Sequence, residues 1–64
     1  MTNQEALEHR ISVLRYRIYL IKEQAARLLD AGMKVEHDYW MNEARVYEEE
    51  VETALMILEE NYYA

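Results

Sequence analysis

Seven apolar residues of the first half of this chain, Leu7, Ile11, Leu14, Ile18, Ile21, Ala25 and Leu28, follow one another at alternating spacings of four and three. That period is the seam of a helix that lies against another helix. The second half repeats it with Trp40, Ala44, Tyr47, Val51, Ala54 and Leu58. Between the two runs stands Gly32, the sole glycine, and no proline occurs anywhere. The pattern predicts an all-α fold, an antiparallel two-helix hairpin spanning residues 1–64 as one domain. One helix is expected over about 3–31 and the other over about 35–61, with the turn near Gly32. One unbroken helix in a long parallel coiled coil is disfavoured by phase. Extending the first seam would put Gly32, Asn42, Glu49 and Thr53 at the interface and leave Trp40, Ala44 and Tyr47 off it.

Local signals agree with the hairpin. Thr2-Asn3-Gln4-Glu5 fits a capping box, in which each of Thr2 and Glu5 accepts from the other's backbone N–H. Gly32 can take the left-handed conformation that ends helices. Glu36 and Asp38 then fall at the start of the second helix, where negative charge suits the helix dipole.

The net charge of −6 is unevenly distributed. Up to Gly32, Arg10, Arg15, Arg17, Lys22 and Arg27 outweigh Glu5, Glu8, Glu23 and Asp30 by one. After it, only Lys34 and Arg45 oppose nine acids, Glu36, Asp38, Glu43, Glu48, Glu49, Glu50, Glu52, Glu59 and Glu60. An acidic surface of this kind repels phosphate backbones and anionic bilayers, so neither nucleic acid nor membrane is expected as a direct partner. Basic flanks on the first seam against acidic flanks on the second favour intrachain pairing. Opposing levels suggest Arg15 with Glu50, Arg17 with Glu48 and Lys22 with Glu43.

At 64 residues the chain is short for a self-sufficient core. Chains of this size seldom draw more than about 3–5 kcal/mol from one core, and with no cysteine a disulfide cannot add to it. Apolar residues also lie off both seams, among them Val13, Tyr16, Tyr19 and Leu20 in the first helix and Tyr39, Val46, Leu55, Met56 and Ile57 in the second. Homodimerisation into a four-helix bundle is the expected remedy. The start lacks a secretory-signal pattern and no apolar run could span a bilayer, so a cytoplasmic location is expected.

Chemistry-bearing patterns are few. His9 and His37 fall at different levels of the hairpin, roughly 28 Å apart by helix rise, and neither has a His-Glu-x-x-His partner. Ser12 has no histidine within reach to activate it. One glycine cannot build a phosphate-cradling loop. No catalytic, cofactor-binding or metal-ligating residue is assigned, and no enzymatic activity is expected. The candidate partner-binding residues are the acidic ridge Glu49, Glu52, Glu59 and Glu60, and the off-seam pair Tyr16 and Leu20.

Met1-Thr2, Gln4-Glu5 and Leu29-Asp30-Ala31 resemble, in type and place, the corresponding segments of the Rop (Rom) plasmid copy-number regulators, helical hairpins that dimerise into four-helix bundles. The resemblance implies architecture only. The basic, amide and aromatic row with which that family binds RNA has no counterpart here, since Leu14, Ile18 and Ala25 are seam residues. By analogy with the small acidic regulators and inhibitors of phages and mobile elements, the leading expectation is a module that binds a host protein, one that itself holds nucleic acid being a natural target. A purely structural homodimerisation module and a Rop-like RNA binder are the alternatives.

Overall fold

The computed structural model describes residues 1–63 and consists of two helices packed side by side, α1 (Asn3–Asp30) and α2 (Lys34–Asn61). The Cα trace measures 46 × 18 × 12 Å, a slab one helix thick and two helices wide.

Each boundary has a local cause. At the start of α1 the Thr2 hydroxyl accepts from Glu5 N at 3.1 Å, and the Glu5 carboxylate accepts from Thr2 N at 3.2 Å. This closed capping box satisfies two donors that the first turn leaves without helical partners. At the other end Gly32 adopts φ 76°, its N–H donates to Leu29 O at 3.0 Å, and Met33 N–H donates to Leu28 O at 2.8 Å. These two bonds form the Schellman stop that a left-handed residue makes available. The next helix starts within two residues, with Met33 as a cap that offers no side-chain bond. Its first turn carries Glu36, whose negative charge suits the helix dipole, and Asp38 accepts from Lys34 Nζ at 3.1 Å and lies 2.9 Å from His37 Nδ1. These contacts hold the Asp38 carboxyl below its ordinary pKa, the His37 bond being the larger cause and Lys34 the second.

The two heptad runs meet along the length of the hairpin. Ile11, Leu14, Ala25, Ala44, Val51, Ala54 and Leu58 are buried, and Leu7, Ile18, Ile21, Leu28, Trp40 and Tyr47 are half-buried. Every seam position therefore turns inward. Packing is densest towards the open end, where Ile11, Leu14, Val51, Ala54 and Leu58 form one cluster with Leu7, Ile18, Tyr47 and Leu55 against it. Nearer the turn the small side chains Ala25 and Ala44, both fully buried, fill the seam. Among the described residues no helix is long and apolar enough to cross a membrane.

The interhelical ion pairs differ from the sequence expectation. Arg10 pairs with Glu50 at 3.1 Å and Lys22 with Glu48 at 3.7 Å, in place of Arg15–Glu50, Arg17–Glu48 and Lys22–Glu43. Level alone does not choose partners; side does. In heptad letters Arg10, Arg17, Glu43 and Glu50 occupy g, whereas Glu8, Arg15, Lys22 and Glu48 occupy e. Antiparallel helices bring g beside g and e beside e, so each expected pair joined residues on opposite sides of the seam. Consistently, Arg15 lies by Glu48 and Glu52, and Arg17 by Glu50.

Candidate interaction surfaces

Because the slab is only two helices wide, both of its broad faces are open. The c and g positions define one face. On α1 these are Asn3, Ala6, Arg10, Val13, Arg17, Leu20, Gln24 and Arg27; on α2, Glu36, Tyr39, Glu43, Val46, Glu50, Thr53, Ile57 and Glu60. Towards the open end it holds a groove of about 400 Å³ lined by Leu7, Val46, Glu49, Thr53, Ala54 and Ile57, with the Arg10–Glu50 pair crossing it. Val46 is 52% exposed, Leu20 44% and Ile57 40%, high values for aliphatic side chains. The opposite face, built from b and e positions, carries Tyr19, Leu29, Met41 and Leu55 among Glu8, Arg15, Lys22, Arg45, Glu48, Glu52 and Glu59.

Glu49, Glu52, Glu59 and Glu60 are all exposed along the outer side of α2, Glu49 at the edge of the c/g groove and Glu52 near Arg15 of α1, and none belongs to an ion pair among the described residues. They are not a plain row. Met56, 55% exposed, stands seven and four residues after the first two and three and four before the others. Helix spacing therefore sets Glu52, Glu59 and Glu60 around this thioether, with Glu49 in line with it two turns away. The central methionine was not assigned from sequence as part of the ridge; the signal for it is the same spacing, read outward from an off-seam apolar residue.

Tyr16 and Leu20 are both exposed, but they lie one turn apart on α1, on a different helix from the ridge. The two halves of the expected partner-binding set thus belong to separate surfaces. Leu20 joins the c/g face, and Tyr16 stands opposite the seam.

Two other tyrosines are tied to acids. Tyr19 donates to Glu23 at 2.9 Å, and Tyr63, just past the end of α2, donates to Glu8 of α1 and ties the two helices at the open end. Each bond favours the protonated phenol, and both hydroxyls are held above the ordinary tyrosine pKa, chiefly by that bond. Ser12 donates to Glu8 O at 3.3 Å, a backbone contact that offers it no base. His9 stands on the outer side of α1 and His37 beside the turn. Among the described residues no three His, Asp or Glu side chains gather as a metal-holding group. No protein-family model, curated protein or solved structure matches the chain.

Proposed function

We propose that the chain is a small, non-enzymatic, cytoplasmic interaction module that dimerises into a four-helix bundle and offers the outer side of α2 to a basic partner protein as a regulator or inhibitor. The observation that carries this reading is the set of exposed Glu52, Glu59 and Glu60 around exposed Met56, with Glu49 in line with it two turns away. Four carboxylates steer a cationic surface, and an apolar centre gives it something to bury once it arrives. The hairpin draws little stability from these charges, because all four are exposed and none belongs to an ion pair among the described residues. Such a surface competes with nucleic acid for a basic partner protein. It does not hold nucleic acid itself.

A synthetic basic amphipathic helical peptide serves as the probe. Changing all four glutamates to glutamine should leave helicity unchanged, slow association with the peptide and flatten its salt dependence. The same charge change at Glu5, Glu8, Glu23 and Glu36 should slow association far less. Equal losses in both variants would reduce the effect to net charge. Binding unchanged in the first variant but lost on Tyr16→Ala with Leu20→Ala would move the site to α1. A second reading, a purely structural dimerisation module, is favoured by the open c/g face.

A further inference from the structure

The c/g face is sorted by helix. Every charge that α1 places on it is an arginine (Arg10, Arg17, Arg27), and every charge from α2 is a glutamate (Glu36, Glu43, Glu50, with Glu60 at the open-end edge, where the face borders the outer side of α2). The b/e face has no such order, since Glu8 accompanies Arg15 and Lys22 on α1, and Arg45 accompanies Glu48, Glu52 and Glu59 on α2. A sorted face can choose an orientation.

Two arrangements stack this face on a second copy of itself with two-fold symmetry. An axis perpendicular to the helices lays α1 on the partner's α1 and brings arginine to arginine and glutamate to glutamate. An axis parallel to the helices lays α1 on the partner's α2, bringing arginine to glutamate at the same level. We propose that a second copy of this chain covers the c/g face in the parallel-axis arrangement, so that both Gly32 turns lie at one end of the bundle. This inference rests on the dimeric reading above and names its face and topology.

The register supports it. The observed pairs Arg10–Glu50 and Lys22–Glu48 set the levels of the hairpin, and an axis along the helices preserves them. Leu20 then meets the partner's Val46, Val13 meets the partner's Thr53, and Ala6 approaches the partner's Ile57. Arg17 lies between the partner's Glu43 and Glu50. Desolvation roughly cancels the attraction of such ion pairs, so they select orientation while the apolar contacts supply affinity. Extent is adequate as well: a face of 46 by 18 Å is comparable to the roughly 800 Å² per partner that a stable interface buries.

The full chain, which contains no cysteine, permits a direct test. A nitroxide placed through Met33→Cys, beside the turn and partly exposed, reports the turn-to-turn distance in the dimer by pulsed electron paramagnetic resonance. Turns at one end give separations of roughly 20–30 Å, since neighbouring helices lie 8–10 Å apart and the label arms add the rest. Turns at opposite ends give a separation near the 46 Å length of the hairpin, which overturns the proposed topology. Leu20→Arg with Val46→Arg should raise the concentration at which the dimer dissociates and helicity is lost by at least about 100-fold, because both side chains are exposed in the hairpin and lie on the face the second copy covers. Tyr19→Arg with Met41→Arg, on the b/e face, should not. The reverse pattern overturns the choice of face while leaving a dimer. A wild-type chain that remains monomeric refutes the dimeric reading itself.

Discussion

Leu58→Ala separates the hairpin from the unbroken coiled coil more sharply than any other single change. Leu58 is 1% exposed and packs in the cluster of Ile11, Leu14, Val51 and Ala54, so truncation removes three buried carbons and leaves a void between two fixed helices. Buried leucine-to-alanine changes cost about 2–5 kcal/mol, and a core of this size supplies only about 3–5. A loss of about 3 kcal/mol should lower the melting temperature by roughly 12–24 °C, at 4–8 °C per kcal/mol for a small domain. Met56→Ala is the internal control. It lies two residues away at 55% exposure, and an exposed substitution is expected to stay within about 0.5 kcal/mol. In a single continuous coil Met56 would sit in the seam and Leu58 outside it, so the order would reverse. Circular dichroism melts at one fixed protein concentration read both variants. A larger loss for Met56→Ala than for Leu58→Ala would refute the seam assignment.

Four further outcomes are expected. In a double-mutant cycle Arg10 and Glu50 should couple by about 0.2–1 kcal/mol, while Arg15 and Glu50 should show no coupling; the opposite result would contradict the g-to-g pairing. Thr2→Ala should destabilise by about 1 kcal/mol through loss of the capping box, read by urea denaturation. Gly32→Ala should cost about 1–2 kcal/mol from its φ of 76° alone, because an added Cβ meets no atom within 4 Å. Absorbance titration should show a late-ionising tyrosine fraction contributed by Tyr19 and Tyr63. Since their folded-state pKa values are raised, the stabilisation from these two bonds is present below the ordinary value near 10 and is lost as pH climbs through the folded ones. Tyr19→Phe with Tyr63→Phe should abolish the late fraction.

The seam was legible from sequence because burial in a helix has one period, and all thirteen seam residues, from Leu7 to Leu58, turn inward to some degree. The turn was legible because only Gly32 could take its backbone conformation at small cost. Ion pairing was not recovered by matching levels, because level ignores the side of the seam on which Arg15 and Glu50 stand. Lettering the flanks, rather than the seam alone, corrects the pairs and sorts Val13, Leu20, Val46 and Ile57 onto one face. The surface around Met56 escaped for a related reason. Its four glutamates stand out as charge, whereas a single exposed methionine gains meaning only from its neighbours at helical spacing. What binds there is not encoded in periodicity, since a partner's shape leaves no trace in the spacing of this chain's own seam.

Self-association is the point on which the rest depends, and the mass in solution tests it directly. Size exclusion with light scattering at micromolar concentration should give twice 7.8 kDa, with dissociation on dilution accompanied by loss of helicity. A species of 7.8 kDa that is fully helical and melts cooperatively at that concentration would contradict it, since the hairpin would then be stable with both broad faces in water.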